Sequence, residues 1–376
     1  MAGVYFHIPF CKQACHYCDF HFSTALKYKS DLLKAMLREI SLQSTYLGRQ
    51  KIETLYFGGG TPSLLSENEI NLLIDTVAKY YTIDVHAEIT VEANPDDLST
   101  KKLASLRNTP VNRLSIGIQS FFDEDLKWMN RAHNAFEAKR AIKKTQDAGF
   151  DNITADLIYG YPLLDDTKWL ANIHCLVEQG IPHISAYSMT VEPRTALDHF
   201  VKVGKQRPMD EDQSAQQFMQ LIKTLEFAGY EHYEISNFSF PNQYSQHNTN
   251  YWQSIPYLGI GPSAHSFNGS TRQWNINNNA RYMASLSTNE VPAEIEVLTT
   301  VNRINEYLMT SLRTIWGVDL LFLESTFGKE YVEKIIYTAQ PFERRGQLIK
   351  RENHLTLTVT GKLIADLIAS ELFIDH

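Results

Sequence analysis

Three of the four cysteines in the chain lie close together near the amino terminus, at Cys11, Cys15 and Cys18. Their spacing is CxxxCxxC, and the motif follows a short apolar segment that predicts a β-strand. A loop of this length can wrap three thiolates around one metal centre. A structural zinc site takes four closed ligands, and a cluster ligated only by protein takes four cysteines. Three cysteines therefore favour an iron–sulfur cluster with one iron open to a substrate or cofactor.

Two other interpretations of the motif follow from the residues alone. A zinc ion could take a nearby histidine, His7, His16 or His21, to complete its ligands. The cysteines could also be buried core residues, although their density disfavours this. The fourth cysteine, Cys175, lies far along the chain in an amphipathic segment, and we interpret it as a small core residue. A disulfide framework is disfavoured because its cysteines would be spread along the chain.

The segments that must position these residues alternate between two patterns. Short stretches rich in β-branched and aromatic residues predict strands at 4–8, 54–57, 88–93, 113–119, 153–159 and 183–189. Helical stretches lie between them, for example at 30–43, 67–80, 135–148 and 168–178. Six successive β-α units predict an α/β fold with a parallel sheet, and since a closed barrel has eight, we expect an open three-quarter (β/α)6 barrel. Chemistry then belongs at the carboxyl ends of the strands.

Local signals also divide the chain. Ser66 followed by Glu69 predicts a capping box at the start of one helix. We assign residues 1–190 to the barrel core and residues 191–290, which are rich in Asn, Tyr, Ser and Gln, to an irregular extension of it. Residues 291–376 predict a smaller C-terminal domain of helices with a strand pair, resembling a winged helix.

The composition limits the functional classes. The chain has 376 residues, of which 43% are hydrophobic, and this is enough for a large core. It carries 35 basic and 43 acidic residues and has no basic block, so we expect no nucleic-acid partner. No apolar run is long enough to span a bilayer, and the amino terminus has no signal-peptide pattern. We therefore predict a cytoplasmic protein without a membrane segment, and the sequence predicts no particular oligomeric state.

Further motifs follow the cysteines in a specific order. Together with the cysteine loop they are YFHIPFC at 5–11, GGGTP at 58–62, EANP at 92–95, SIGIQSF at 115–121, NR at 130–131, DLIYG at 156–160, HNTNYW at 247–252 and YLGIG at 257–261. They resemble the coproporphyrinogen oxidase/HemW group of radical S-adenosylmethionine (SAM) proteins over nearly the whole chain. The resemblance implies a radical SAM barrel with a 4Fe–4S cluster on Cys11, Cys15 and Cys18 and with SAM on the open iron.

The resemblance also implies which residues bind SAM. In this family an electron from the cluster breaks the sulfonium bond of SAM, and a 5′-deoxyadenosyl radical and methionine form; the cofactors carry this chemistry. The implied SAM-binding residues are Tyr5, Tyr17, Gly59, Gly60, Thr61, Glu92, Gln119, Arg131 and Asp156. Each type also has a simpler explanation. The glycines could form a tight turn, the tyrosines could pack in the core, and the others could be a surface acid, a capping amide or a salt bridge.

Two functions of different kinds occur in this group. One is the oxygen-independent coproporphyrinogen III oxidase, which decarboxylates two propionates to vinyl groups, and the other is a heme chaperone. The oxidase pattern has a cysteine where this chain has Phe20, and a substantial segment before the first strand where only four residues precede Tyr5. Both departures favour the chaperone, which implies heme as a further cofactor and heme-acceptor proteins as partners. His247 is the candidate heme ligand, since histidine is a common axial ligand; a structural histidine beside packing aromatic residues is the alternative.

Overall fold

The computed structural model describes residues 1–375, and its main feature is one open sheet of twelve strands. Six neighbouring parallel strands form the middle of the sheet: β1 (Ala2–Ile8), β2 (Ile52–Gly59), β3 (Ile83–Ala93), β4 (Arg113–Gln119), β5 (Asn152–Tyr159) and β6 (His183–Ser188). These strands follow one another across the sheet in chain order. Parallel neighbours need a crossover connection, which a helix usually supplies, so the carboxyl ends of all six strands meet at one edge. The predicted α/β fold with an open parallel sheet is confirmed.

Helices connect the parallel strands. They are α1 (Lys29–Leu42), α2 (Glu67–Ala78), α3 (Thr100–Arg107), α4 (Asp123–Trp128), α5 (Ala135–Asp147) and α6 (Asp166–Glu178), with short 3-10 turns at Leu26–Tyr28, Pro62–Leu64 and Pro95–Asp97. The capping box predicted for α2 is present. Ser66 Oγ accepts a hydrogen bond from the Glu69 backbone N–H at 3.3 Å, and the Glu69 carboxylate accepts one from the Ser66 N–H at 2.7 Å. Such a cap stabilises a helix by about 1 kcal/mol.

Side chains alternate between the two faces of the parallel strands, and this alternation separates the core from the site. On β1, Val4, Phe6 and Ile8 are buried in the main hydrophobic core. Phe6 stacks on Phe57 of β2 with 4.5 Å between the ring centroids. Tyr5, which lies between them in sequence, points to the opposite face. The apolar face therefore holds the helices, and the other face is free to carry polar side chains inside the barrel.

The structure corrects the prediction that residues 191–290 are irregular. This segment contains α7 (Ala196–Lys202), α8 (Glu211–Phe227), α9 (Gln246–Trp252), α10 (Asn279–Ser287), β7 (Glu231–Glu234), β8 (Asn237–Ser239), β9 (Tyr257–Ile260), β10 (His265–Phe267) and β11 (Thr271–Asn275). The strands have only three to five residues, so alternation along the sequence is too short to reveal them. Pairing with the barrel defines them instead, because β9 runs parallel beside β1 and β8 runs antiparallel beside β6.

A smaller unit with its own hydrophobic core follows β12 (Ala293–Val297), which is the edge strand of the large sheet. Its helices and strands are α11 (Thr300–Leu312), α12 (Leu320–Phe327), α13 (Lys329–Arg344), α14 (Val359–Lys362), α15 (Ala365–Glu371), β13 (Val318–Asp319), β14 (Leu348–Arg351) and β15 (His354–Leu357). The division at 190 and 290 stays a prediction, although β12 lies beyond residue 290 and still belongs to the large sheet. His376 lies outside the described residues. Within residues 1–375, no helix has the length and apolar character needed to cross a bilayer.

Candidate cofactor site

A cavity of about 490 Å³ opens at the carboxyl ends of the parallel strands. Its walls come from the loop after β1 and from residues at or just beyond the ends of β2 to β6. Most of the candidate site residues line it together: Cys11, Cys15, Cys18, Tyr17, Gly59, Gly60, Thr61, Glu92, Gln119, Arg131 and Asp156. Tyr5 and His247 do not line it. We call this space the cofactor cavity.

The cysteine loop is held against the turn between α4 and α5. The Asn130 side-chain amide donates to the Ala14 carbonyl at 2.7 Å, and the Gln13 amide donates to the Asn130 carbonyl and side-chain oxygens at 3.0 and 2.8 Å. Asn130 has a φ of 58°, a left-handed conformation that asparagine tolerates. Arg131 donates through Nη1 to Cys15 Sγ at 3.4 Å. These contacts fix the loop relative to the ends of the strands.

The three thiols are half-buried and free. Burial raises the pKa of Cys11 and raises the pKa of Cys18 to about 12, and neighbouring cysteines add to both increases. A metal centre at this place would stabilise the thiolates and displace their protons. Among residues 1–375, no three histidine, cysteine or carboxylate side chains are grouped so that they could hold a single metal ion.

The glycine run after β2 forms a turn that requires glycine. A Cβ atom at Gly60 would lie 2.7 Å from the Phe10 carbonyl oxygen, and Gly59 has a φ of 104°. The Gly60 N–H donates to the Ile8 carbonyl at 2.9 Å, and the Gly59 N–H donates to the Glu92 carboxylate at 3.1 Å. The turn is therefore tight, and it also brings bare backbone to the cavity wall.

Four acidic residues line the cofactor cavity, Asp19, Glu92, Asp156 and Glu192, and two of them, Glu92 and Asp156, are candidate SAM-binding residues. Glu92 accepts hydrogen bonds from the Tyr56 hydroxyl at 2.8 Å and from the Gly59 N–H. Burial, aided by the charge of Asp156, raises the pKa of Glu92 to about 7, and burial raises the pKa of Asp156 itself to about 6. Ser115 Oγ lies 3.5 Å from both Asp156 carboxylate oxygens. A ligand that brings an ammonium group or hydroxyl donors would stabilise both anions.

Two buried polar atoms of the cavity residues have no hydrogen-bond partner within residues 1–375: Gln119 Oε1 and Arg131 Nε. Gln119 has a φ of 67°, which is uncommon for a residue with a Cβ atom and is typical of functional sites. Arg131 is fixed because Nη2 donates to Asn94 Oδ1 at 2.6 Å and to the Gly117 carbonyl at 2.9 Å. Burying an unsatisfied polar group is costly, so these atoms suit a polar ligand.

Comparison with known proteins identifies the family of this chain. The sequence profile of the Radical SAM superfamily matches residues 5–176. The heme chaperone HemW of Bacillus subtilis is 31% identical over 370 residues, which cover 97% of each chain. The heme chaperone HemW of Escherichia coli is 38% identical over 268 residues, which cover 70% of this chain and 69% of its own. This chain belongs to the coproporphyrinogen oxidase/HemW family of radical SAM proteins.

A solved structure shares the fold of almost the whole chain. The coproporphyrinogen III oxidase HemN of Escherichia coli aligns with a TM-score of 0.86 and covers 99% of this chain and 90% of its own. The sequence identity of this pair is 22%, so the similarity concerns the fold. The chain therefore shares the fold of this structure over both the large sheet and the smaller C-terminal unit.

The family implies a 4Fe–4S cluster and SAM, and the residues present fit both groups. Three thiols line one cavity, and the fourth cysteine, Cys175, lies on α6 outside it. The free Gln119 and Arg131 atoms, the two carboxylates and the bare glycine backbone supply polar contacts of the types that an amino acid and a ribose require. The donor set is therefore adequate for a cluster with SAM beside it.

The two candidate tyrosines lie in different places. Tyr17 lines the cofactor cavity and packs against the main core. Tyr5 lies behind the glycine turn, since a Cβ atom at Gly58 would lie 2.9 Å from the Tyr5 ring. Its ring stacks on Tyr56 with 6.1 Å between centroids, and its hydroxyl is 3.2 Å from His7 Nδ1. Tyr5 therefore packs against aromatic and histidine side chains inside the barrel and does not line the cofactor cavity.

His247 lies near the amino-terminal ends of β1 and β2, away from the cofactor cavity. Its Nδ1 is 2.8 Å from Thr54 Oγ1, and its ring stacks on Tyr56 with 5.0 Å between centroids. Burial, and then the charge of Arg113, lower the pKa of His247 to about 3, so the imidazole is neutral. The space beside it is about 10 Å³, which is room for a single water at most. The geometry supports the structural-histidine alternative, and the role of His247 as a heme ligand stays a prediction.

Several other residues of the cofactor cavity were not predicted from the sequence. Asn94 and Ser115 lie inside the quoted motifs, and they contact Arg131 and Asp156. Four further lining residues follow one another at the end of β6, namely Tyr187, Ser188, Met189 and Thr190. The rule that chemistry lies at strand ends could have identified them, but no chemical pattern in their side chains distinguishes them.

Proposed function

We propose that this chain is a heme chaperone that binds a 4Fe–4S cluster, SAM and heme and delivers heme to acceptor proteins. The observation that carries the proposal is its similarity to HemW proteins over almost the whole chain, combined with the cavity that gathers the cysteines and the polar residues. The cysteines and polar residues that the proposal assigns to the cluster and SAM lie in one cavity. We expect the chain to act in the cytoplasm.

Within this proposal, Cys11, Cys15 and Cys18 hold the cluster as thiolates. When bound, the cluster and SAM supply one-electron reductive chemistry. Arg131 is placed beside the cluster by its hydrogen bond to Cys15 Sγ at 3.4 Å, where its positive charge stabilises the thiolate. Tyr17, which lies between Cys15 and Cys18 in the loop, lines the same cavity.

Around SAM, the remaining residues bind and orient polar groups. Gly59, Gly60 and Thr61 present backbone and hydroxyl groups at the end of β2, next to Glu92. Glu92 and Asp156 accept hydrogen bonds from amino or ribose hydroxyl groups, and ligand cations favour their ionised forms. Gln119 Oε1 and Arg131 Nε, both buried without a protein partner among the described residues, complete the set.

The choice of chaperone over oxidase depends on the mouth of the cavity. Phe20 takes the place of the cysteine in the oxidase pattern, lines the cofactor cavity and is 66% exposed. An exposed aromatic ring at a cavity mouth favours contact with an apolar ligand or partner. Phe20 contributes no metal ligand there, so the chain offers the cluster three cysteines and no more.

One anaerobic experiment tests the proposal against its alternatives. The cluster-loaded chain is incubated with SAM and reductant, with and without heme and coproporphyrinogen III, and porphyrins, 5′-deoxyadenosine and bound heme are measured together. We expect bound heme and unchanged coproporphyrinogen III. Decarboxylated porphyrinogen would replace the proposal by the oxidase. If the chain contained zinc and no iron after anaerobic reconstitution with iron and sulfide, the zinc interpretation of the cysteine motif would replace the proposal.

A pair of matched variants tests the assignment of the cluster to the amino-terminal loop. Cys18→Ser removes a thiol of the cavity, whereas Cys175→Ser removes a half-buried thiol on α6. We expect Cys18→Ser to lose the cluster and its response to SAM, and Cys175→Ser to keep both. Equal loss in the two variants would contradict the assignment of the cluster to the amino-terminal loop.

A further inference from the structure

A second cavity, of about 570 Å³, lies beside the cofactor cavity. We call it the side chamber. Ser188, Met189 and Thr190, which end or follow β6, line both spaces. The remaining walls come from the end of β5, from the region of α8 and from α14 of the C-terminal unit. A ligand in the side chamber would therefore adjoin the SAM site and touch the C-terminal unit at the same time.

One wall of the side chamber is a continuous face of α8. Glu211, Ser214, Ala215 and Phe218 line it at spacings of three and four residues, which place side chains on one side of a helix. The chamber walls are mostly apolar, with contributions from Tyr159, Met189, Val191, Met209, Phe218, Ile235 and Leu363. Flat hydrophobic ligands bind in cavities of this size and character.

The side chamber also contains one basic side chain. Lys362 lines it, and its Nζ is 2.8 Å from His232 Nδ1. Burial lowers the pKa of His232 to about 3, so the imidazole is neutral and accepts this hydrogen bond. Within residues 1–375, no carboxylate lies within ion-pair distance of Lys362. Burial lowers the pKa of Lys362 to about 8, and the charges of Glu226 and Glu234 partly offset this, so the amine is mostly protonated at neutral pH and is suited to a carboxylate of a ligand.

Two acidic residues of the lining lie at the rim. Asp210 and Glu211 are both exposed, so water solvates them. The Asp210 carboxylate already caps α8, because it accepts a hydrogen bond from the Gln213 N–H at 3.1 Å. The chamber lining therefore combines apolar walls with one lysine, and the two carboxylates of the lining face solvent.

We propose that the side chamber is the heme-binding site, where the macrocycle packs on the α8 face and one propionate pairs with Lys362. This proposal rests on the proposed heme-chaperone function. Two points about the other cavities favour this one under the proposed function. The cofactor cavity has to hold the cluster and SAM, and the space beside His247 is far too small for a macrocycle.

The test titrates ferric protoporphyrin IX into the cluster-loaded chain and follows heme absorbance. Ala215→Trp fills the side chamber, whereas Met219→Trp adds the same ring on α8 outside it. We expect heme affinity to fall at least about ten-fold in Ala215→Trp, since a blocked cavity excludes the ring, and to change less than about two-fold in Met219→Trp. The response of the cluster to SAM confirms that each variant is folded.

A second arm tests the charge and does not depend on filling the chamber. Lys362→Met removes the cation, and Lys350→Met removes an exposed lysine of the same unit on β14. Loss of a hydrogen bond to a charged group predicts an affinity about ten-fold lower for Lys362→Met only. The dimethyl ester of the same heme lacks free propionates, so it should bind the unchanged chain and Lys362→Met equally.

The outcomes distinguish failure of this heme site from failure of the proposed heme-chaperone function. If the unchanged chain binds heme and Ala215→Trp and Lys362→Met bind it equally well, the side chamber is excluded and the heme-chaperone function stands. Loss of binding in His247→Ala alone would move the heme to the HNTNYW segment. If the unchanged chain binds no heme, the proposed function and this site both fail.

Discussion

Replacing Glu92 by glutamine should stabilise the cofactor-free chain at alkaline pH and have little effect at acidic pH. Burial in the cofactor cavity raises the pKa of Glu92 from 4.5 to about 7. The native state therefore keeps a proton that the unfolded state releases between these two values. Ionisation of Glu92 destabilises the native chain. The stability that its protonated form contributes is therefore fully present below about pH 4.5 and is lost as the pH rises through about 7.

The size of the effect follows from the two pKa values. Each unit of pKa difference corresponds to about 1.36 kcal/mol. Raising the pKa of Glu92 from 4.5 to about 7 therefore destabilises the native chain by about 3 kcal/mol above pH 8. At pH 5 the penalty is below about 1 kcal/mol. The Tyr56 hydroxyl and the Gly59 N–H bond to different oxygens of Glu92. In glutamine the amide oxygen can accept from the Gly59 N–H, and the amide NH₂ can donate to the Tyr56 hydroxyl, which also accepts, so both contacts are kept while the charge is removed.

The assay is urea unfolding of the cofactor-free chain at pH 5 and pH 8.5, with Glu92→Gln compared with Glu178→Gln, an exposed residue of α6. We expect the free energy of unfolding to rise by about 3 kcal/mol at the higher pH in Glu92→Gln only. The same variant should bind SAM about ten-fold more weakly, since it loses a charged hydrogen-bond acceptor. An equal gain at both pH values, or a loss at pH 8.5, would refute the reasoning.

Four further substitutions test other parts of the structure. Gly60→Ala places a Cβ atom 2.7 Å from a backbone oxygen, so it should cost about 2 kcal/mol in urea unfolding and lower the iron content after reconstitution. Ser66→Ala removes the α2 capping box and should lower the unfolding free energy by about 1 kcal/mol without changing SAM binding. His247→Ala should cost about 1–3 kcal/mol of stability and leave heme affinity unchanged, as measured by absorbance titration. Cys18→Ser should abolish the visible absorbance of the cluster, which Cys175→Ser retains.

The parallel half of the sheet could be predicted because its signals are local. Each central strand has six or more residues, and helices of regular period separate the strands. The cofactor cavity follows from the same information, since the ends of parallel strands must meet at one edge. Residues placed at strand ends by the sequence, such as Glu92, Gln119 and Asp156, therefore lie in one cavity.

The parts that the sequence could not place depend on contacts between distant segments. Whether α9 packs at the carboxyl or the amino ends of the strands is not encoded in its own pattern. It is set by contacts such as the Glu88 carboxylate, which accepts hydrogen bonds from the Gln246 and His247 N–H groups at 3.0 Å each. The side of β1 that carries Tyr5 is likewise defined by its partner on the next strand, Tyr56.

The most direct measurement of the central claim is electron paramagnetic resonance of the anaerobically reduced, reconstituted chain before and after SAM is added. Three cysteine thiolates that leave one iron free predict a cluster spectrum that changes when SAM binds, and loss of both the spectrum and the change in Cys18→Ser. A reduced cluster whose spectrum is the same with and without SAM would contradict the account.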